Sequence, residues 1–250
     1  MQATFVKKVE KLKTQLNDRI NYSQMTFQHD LVKLTELSVK TVERGRFYET
    51  PDGQSYPSVT TVTALEGRDD IQAWRKRIGE KKADEISKAA MMTGTRVHKL
   101  AEMYLRNEVF RQEDFFGETL PNVQRMFEQL EILLNNNVGV IKAIEAPLYS
   151  HSLRVGGRVD LIAEWDGELS IIDFKTSKKP KREDWIKAYY MQSCAYARMF
   201  EELTNITVRK VVIAIAVDNH QSQVFTADSE EYIQEFIDLR KKYDLESHNH

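Results

Sequence analysis

Two aspartates and a lysine of this chain stand within apolar runs, where charged side chains are costly. Asp160 lies in the run Gly-Arg-Val-Asp-Leu-Ile-Ala, and Asp173 and Lys175 end the run Leu-Ser-Ile-Ile-Asp-Phe-Lys. Burying an aspartate is unfavourable unless the group is paired or bound to a metal ion. Because side chains alternate along a strand, Asp173 and Lys175 lie on one sheet face. The pattern predicts two acids and a cation around one point, which suits a divalent-metal phosphodiesterase.

Hydrolysis of a phosphodiester requires an activated water, a Lewis acid on the phosphate and help for the leaving oxygen. Mg²⁺ and Mn²⁺ prefer hard oxygen ligands, and Mg²⁺ usually keeps several waters beside one or two carboxylates. Asp160 and Asp173 would supply these carboxylates from adjacent antiparallel strands, where opposed side chains lie about 5 Å apart. The backbone carbonyl of Phe174 would complete the shell, and Lys175 would polarise the water. The alternative is a plain cross-strand ion pair between aspartate and lysine.

Composition limits the partners of the chain. With 250 residues and 41% hydrophobic content, it can bury one sizeable core and still have room for an added subdomain. The formal net charge of −2 shows no global basic character, so contacts with nucleic acid must come from local patches. One patch is Arg75, Lys76 and Arg77, for which a solvated surface is the alternative; the other runs from Lys178 to Arg182.

The cysteine count and the apolar runs indicate the compartment. The single cysteine, Cys194, excludes an internal disulfide framework and a cysteine-ligated iron–sulfur cluster. No apolar run approaches the length of a membrane span, so we expect no membrane association. We expect a reducing, soluble compartment, namely the cytoplasm of a bacterium or of a phage-infected host cell, with the mitochondrial matrix as the alternative.

The elements that must position these residues follow from periodicity and turn signals. Apolar alternation and the turn Asp166-Gly167 predict strands, and spacing near 3.6 predicts helices. Predicted strands are 138–149, 154–164, 168–175, 210–217 and 223–226, with a hairpin at 47–56. Predicted helices are 69–90, 93–107, 122–137, 184–203 and one N-capped by Asp228 that ends near Tyr243. The fold class is therefore α/β (α+β), with a mixed central β-sheet flanked by helices.

At this point the motifs carry a resemblance. Asp160 followed by Asp173-Phe174-Lys175 resembles the signature of PD-(D/E)XK nucleases. The segment from Gly94 to His98 resembles the GxxxH element of their RecB-like exonuclease branch, Glu145 its acidic strand, and Gln192 to Tyr196 its QxxxY motif. Within that branch, the segments 56–60 and 172–181 are similar to the mitochondrial genome maintenance exonucleases and their phage relatives.

This resemblance covers residues 55–243 and implies a division of the chain. It implies a restriction-endonuclease-like core with a helical arch subdomain. We expect a nuclease domain over 46–250, with a helical insertion near 58–137 and a catalytic core near 138–244. The first fifty residues match nothing we can place, and residues 1–45 are predicted to form a helical arm.

The resemblance also implies roles for single residues. His98 would bind the metal directly or through a water, and Glu145 would bind the metal, orient Lys175 or pair with a lysine. Gln192 and Tyr196 lie one helical turn apart, so they share a face and would bond the substrate backbone or order the active-site strand. Packing in the core is the alternative for Tyr196. Lys178 would contact a phosphate or support the residues that bind the metal.

Some members of this family act on single-stranded DNA from a free end and thread it through an arch of helices. In this chain residues 58–107 would form the arch. Trp74, with Tyr104 and Phe110, would stack on bases, and the patch at 75–77 would follow phosphates. Aromatic residues at helical spacing also pack in cores, which is the alternative for all three.

The favoured function is a Mg²⁺- or Mn²⁺-dependent deoxyribonuclease, an exonuclease on single-stranded ends in DNA repair, recombination or replication. A structure-specific flap endonuclease is the near alternative, and a DNA-binding module without catalysis is the alternative from another class. The protein partner that we expect is a replication or recombination protein. No P-loop motif occurs in the sequence, so any motor would lie on another chain.

Overall fold

A mixed five-stranded sheet forms the centre of the computed structural model, which describes residues 26–108 and 121–248. Its strands are β4 (Val138–Ser150), β5 (Val155–Trp165), β6 (Glu168–Ser177), β7 (Lys210–Val217) and β8 (Gln223–Asp228), in that spatial order. The β6–β7 pair is parallel and the other neighbours are antiparallel. The predicted mixed sheet and fold class are therefore confirmed.

The residue patterns explain which strands are central. Strand β7 is a nearly continuous buried apolar run, which is typical of a strand covered on both faces. Strand β8 alternates half-buried and exposed residues, as expected at an edge. Strands β5 and β6 are joined by Asp166 and Gly167, whose φ angles of 54° and 79° are those of the predicted tight hairpin.

Helices cover both faces of the sheet. They are α1 (Val59–Thr63), α2 (Arg68–Ile78), α3 (Glu80–Leu105), α4 (Pro121–Asn137), α5 (Lys187–Thr204) and α6 (Ile233–His248), with a 3₁₀ turn at Glu183–Trp185. Apolar side chains of α1, α5 and α6 form the core on one face. Those of α3 and α4 form the core on the other. Within the described ranges, the helices lack the combined length and apolarity that crossing a membrane requires.

A small antiparallel sheet precedes the helices, and it corrects the prediction for the N-terminal region. Its strands are β1 (Ser38–Val42), β2 (Gly45–Glu49) and β3 (Ser55–Pro57), which include the predicted hairpin. The part of the expected helical arm that the structure describes, 26–45, contains strand β1 and the turn into β2 and has no helix. Its Asp30 and Val32 amides donate to carbonyls of edge strand β4, so sheet pairing takes the place of helical bonds. Residues 1–25 lie outside the described residues.

Two helix boundaries also differ from the prediction. The predicted helices at 69–90 and 93–107 are divided at Gly79 instead, where φ of 87° lies in a region that favours glycine and ends α2. Asp228 does not cap α6, which begins at Ile233. Its carboxylate accepts from the Glu230 amide and closes a turn between β8 and that helix. An aspartate side chain can accept a hydrogen bond from a nearby backbone amide in a turn as well as at a helix N-terminus, so the residue type alone did not distinguish the two.

Candidate active site

Three potential metal ligands from three elements meet at one end of the sheet. His98 of α3, Glu145 of β4 and Asp160 of β5 each offer a ligand atom, and these atoms all lie within 4.8 Å of one another. The His98 Nδ1 and Asp160 Oδ1 atoms are 3.4 Å apart. The structure thus brings together three residues that the sequence places far apart.

The strand register accounts for two of these three positions. Ile144 pairs with Leu161 and Ala146 with Val159, so Glu145 and Asp160 face each other across the β4–β5 ladder. Helix α3 crosses the sheet and supplies the third. Its His98 ring packs edge-on against the Phe174 ring, with centroids 6.1 Å apart.

The backbone at Glu145 is held in an unusual conformation. Its φ of 45° is left-handed, which costs an L residue on the order of 1–2 kcal/mol. The Arg158 guanidinium donates to the Glu145 carbonyl, and Arg106 Nη2 donates to the Ile144 carbonyl at 3.1 Å. Two arginines therefore donate to two successive carbonyls of strand β4, those of Ile144 and Glu145. Sequence reasoning missed both, because guanidinium-to-carbonyl bonds leave no spacing signal.

Asp173 lies beside this cluster and is bonded from two sides. Lys175 Nζ lies 2.5 Å from its Oδ2, so the two side chains share a sheet face as predicted. Gln192 Nε2 donates to its Oδ1 at 2.7 Å from helix α5. Only 1% of Asp173 is exposed, so these two groups supply most of the solvation that water would give a carboxylate.

Asp160 connects the two halves of the site. Its Oδ2 accepts from the Phe174 backbone amide at 2.7 Å, which ties β5 to β6 just beyond the Leu161–Ile172 pair. The predicted convergence of both aspartates and Lys175 is therefore present. Phe174 is buried and its amide is used; a metal contact of its carbonyl stays a prediction.

Burial and mutual charge shift the pKa values of these groups. Burial, reinforced by the Asp160 charge and opposed by Lys175, raises the pKa of Asp173 to about 6. Burial and the same charge raise the pKa of Glu145 to about 7. For His98 burial opposes the charged form, yet attraction to Asp160 outweighs it and the pKa rises to about 9. The pKa of Asp160 is lowered, because His98 and Lys175 overcome its burial.

The residues present fit a hard divalent cation. Carboxylate oxygens suit Mg²⁺ and Mn²⁺, and imidazole is a common partner for transition metals. Oδ2 of Asp173 already has the Lys175 ammonium 2.5 Å away. The ligand atoms that lie together for an ion, among the described residues, are therefore those of the three-residue cluster. His98, Glu145 and Asp160 would hold the ion, with Asp173 adjacent.

The predicted substrate contacts on α5 and α3 are mostly internal. Tyr196 is 3% exposed, and a Cβ on Gly157 would lie 2.6 Å from its ring, so this tyrosine packs against β5. Its core alternative describes the geometry better than a contact with substrate. Tyr104 is also buried, with its hydroxyl donating to Asn135 at 2.6 Å, so the prediction that it stacks on bases is wrong. Phe110 lies outside the described residues.

The predicted basic contacts are at the surface. Arg75 donates to Asp84 at 2.6 Å and also to Glu80, so its charge is already paired. Lys76 and Arg77 are exposed on α2. Trp74 is half-buried on the same helix, and Lys178 is exposed beyond the end of β6. Their roles toward a substrate stay predictions.

Comparison with known proteins agrees with the motifs. Residues 72–244 match the profile of the PD-(D/E)XK nuclease superfamily. Mitochondrial genome maintenance exonuclease 1 of Mus musculus is 30% identical over 135 residues, 51% of this chain and 38% of that protein. The Homo sapiens protein of that name is 30% identical over 116 residues, 44% of this chain and 32% of its own length. The match thus spans about a third of these relatives.

A solved structure of a protein from Eubacterium rectale is also similar, with a TM-score of 0.41 at 14% identity over 61% of this chain and 64% of that one. The family assignment stands on the profile match, which spans more than half of the sequence. It confirms the resemblance of the motifs: the chain belongs to the PD-(D/E)XK nuclease superfamily.

Proposed function

We propose that this chain is a Mg²⁺- or Mn²⁺-dependent deoxyribonuclease that digests single-stranded DNA from a free end. The observation that carries the proposal is the position of the Lys175–Asp173 ion pair, with its 2.5 Å contact, directly beside the cluster of His98, Glu145 and Asp160. Charged groups that are already fixed in a site shielded from water can stabilise the charge that develops in a transition state, because they need not reorganise first.

The chain's own residues would divide the work. A bound divalent ion supplies Lewis acidity and lowers the pKa of water. The Lys175 ammonium would orient the attacking water. It would also offset the negative charge on the phosphate oxygens in the transition state. Asp173 holds that ammonium in place. His98 begins as an imidazolium against Asp160 and must lose its proton before its nitrogen can bind a metal.

Support for the exonuclease class comes from the relatives, which carry that word in their names. Support for a single-stranded substrate comes from helix α2 and the first half of α3, the part of the chain that leads to His98. These segments are largely exposed and carry basic side chains such as Lys76 and Arg77 together with acidic ones, and the basic side chains could line an arch over a strand. DNA repair, recombination or replication are the processes in which free single-stranded ends arise, and a replication or recombination protein is the partner we propose.

The location follows the same proposal. A DNA exonuclease works where DNA lies, in the cytoplasm of a bacterium or phage-infected cell. The mitochondrial matrix is the alternative, and the names of the relatives support it.

The test is digestion of three substrates side by side: linear single-stranded, linear duplex and circular single-stranded DNA, each with Mg²⁺, Mn²⁺ or EDTA. We expect rapid loss of the linear single strand with either metal, an intact circle, and no digestion with EDTA. Cutting of the circle would replace the exonuclease with an endonuclease. Binding without cleavage under every condition would reduce the chain to a DNA-binding module.

A further inference from the structure

A large aromatic side chain is exposed close to the site in sequence. Trp185 ends the 3₁₀ turn that follows β6, and 61% of it is accessible to solvent. The Arg182 guanidinium lies over its ring, 5.4 Å from the centroid. An exposed aromatic ring with cationic side chains nearby offers a stacking surface to an unpaired base.

A second aromatic residue, Tyr189, follows Trp185 in the sequence and contacts Lys175. Tyr189 lies four residues later, about one helical turn on, in the first turn of α5, and it is half-buried. Lys175 Nζ lies 5.0 Å from the centroid of its ring. Two cation–aromatic pairs therefore lie on one short segment of the chain, Lys175 with Tyr189 and Arg182 with Trp185. Trp185 is the more exposed of the two rings.

The basic segment between β6 and Trp185, residues 178–184, contains lysines whose charges are not paired with carboxylates of the described residues. Among the described residues, Lys178, Lys179 and Lys181 have no carboxylate within ion-pairing distance. The two acids of the segment are engaged: Asp184 accepts from Arg182, and Glu183 accepts from the Tyr190 hydroxyl. The segment thus offers three cations to a phosphate backbone.

The same segment is fixed in place. The side chain of Gln223 accepts from the Lys181 amide at 2.7 Å and donates to the Lys181 carbonyl at 2.9 Å. Ser177 donates to the Lys179 carbonyl at 2.7 Å, and Ile186 is fully buried directly after Trp185. The exposed ring is therefore held outward by a fixed backbone on both sides. A preformed contact loses less freedom when a ligand binds.

We propose that Trp185 stacks on an unpaired base of the strand that the active site cuts, while Lys178, Lys179 and Lys181 contact its neighbouring phosphates. This inference rests on the proposed nuclease function and adds the position at which single-stranded character is recognised. Duplex bases have no free face, so this surface selects single strands. The sequence prediction placed that role on Trp74 instead.

The test compares Trp185→Ala with Trp185→Phe and with Ile132→Ala, a control that removes an equally exposed apolar side chain, also 61% accessible, from helix α4. Binding of a labelled single-stranded oligonucleotide is measured by anisotropy in EDTA, where no cleavage occurs. Stacking of one base predicts a Kd about 10-fold weaker for Trp185→Ala. Trp185→Phe and Ile132→Ala should stay within about threefold, because phenylalanine keeps a ring and Ile132 lies elsewhere.

An oligonucleotide of abasic sites distinguishes stacking from charge. Its binding should be the same for wild type and Trp185→Ala, because it has no base to stack. In metal-dependent digestion, Trp185→Ala should raise KM with little change in kcat.

If wild type digests DNA but Trp185→Ala binds the normal oligonucleotide as wild type does, the inference is wrong and the nuclease stands. If wild type digests no DNA with either metal, the proposed function fails whatever Trp185 does.

Discussion

Gln192 of helix α5 donates a hydrogen bond from Nε2 to Oδ1 of Asp173, across 2.7 Å, in a region closed to solvent. The other oxygen of the same carboxylate faces Lys175. The hydrogen bond from Gln192 thus helps to orient the Asp173 carboxylate so that its Oδ2 atom faces Lys175. Of the QxxxY motif, Gln192 contacts the candidate site, and it does so from within the protein.

Replacing Gln192 with alanine should lower kcat about 10- to 100-fold, the range found for outer residues that orient a metal site. Loss of the donor leaves Oδ1 of Asp173 buried without a partner, so its pKa rises further and the pH–rate profile moves to higher pH. The measurement is kcat against pH. Ser193→Ala is the control, since Ser193 Oγ is buried without a hydrogen bond among the described residues. An unmoved profile in Gln192→Ala would show that the bond has no part in catalysis.

Replacing Arg158 with alanine should weaken binding of Mn²⁺ about tenfold, because the Glu145 carbonyl loses a donor and its left-handed backbone can relax. Calorimetric titration of the nuclease with Mn²⁺ measures this without any turnover. Arg158 also pairs with Glu36 at 2.8 Å, where Glu36 is exposed. Glu36→Gln removes that pair alone and should leave the affinity unchanged. Equal affinities for all three proteins would contradict the role of Arg158.

In the metal-free protein, the contribution of Glu145 to the free energy of unfolding should fall as the pH rises from about 4.5 to about 7. Its pKa is 4.5 ordinarily and about 7 in the fold, so the folded state binds more protons across that window. The free energy of unfolding therefore falls with pH there, by about 1.4 kcal/mol per unit of pKa shift at most. Asp173 acts in the same direction between 3.8 and about 6.

The neighbours of Glu145 contribute as well, so the comparison is between wild type and Glu145→Gln. His98 lowers stability as pH rises from 6.5 to about 9, and Asp160 acts in the opposite direction at acid pH. Both remain in the variant. Urea unfolding in EDTA at several pH values should give a shallower fall for Glu145→Gln between 4.5 and 7. Parallel curves would mean that Glu145 titrates at its ordinary pKa.

Two glycines near the site should respond oppositely to alanine. A Cβ on Gly157 would lie 2.6 Å from Cε1 of the buried Tyr196, so Gly157→Ala should cost about 1–3 kcal/mol. At Gly94, within α3, the nearest atom is Thr176 Oγ1 at 3.5 Å, an ordinary contact. Gly94→Ala should therefore stabilise the protein by about 0.5–1 kcal/mol. Thermal unfolding measures both, and equal shifts would contradict the packing described.

Much of this site was accessible from the sequence because it depends on periodicity along single strands. Alternation places Lys175 beside Asp173, and the Asp166-Gly167 turn sets β5 against β6, so that Asp160 meets them. The left-handed backbone at Glu145 and the arginine bonds that support it depend on contacts between distant segments, which periodicity does not encode.

Exposure was the other quantity that pattern alone could not supply. Tyr196 and Trp185 are both aromatic residues that follow the Asp-Phe-Lys strand in the sequence, yet Tyr196 is buried against β5 and Trp185 is exposed to solvent. Gly157 makes room for the first, and the buried Ile186 holds the second outward. In both cases the exposure of the aromatic side chain is decided by another residue and not by the aromatic residue itself. The sequence places base stacking on Trp74 because that residue lies in the predicted arch, whereas Trp185 lies beyond the catalytic strand.

The measurement that tests the account most directly is the rate at which Lys175→Ala digests a linear single strand with saturating Mg²⁺ or Mn²⁺. We expect a fall of about 10²- to 10³-fold from wild type, the loss typical of one charge-stabilising donor in a closed site. Lys241→Ala, which removes an exposed lysine on α6, should digest as wild type does. Wild-type rates in Lys175→Ala, or digestion that persists in EDTA, would contradict the assignment of this site as a metal-dependent nuclease centre.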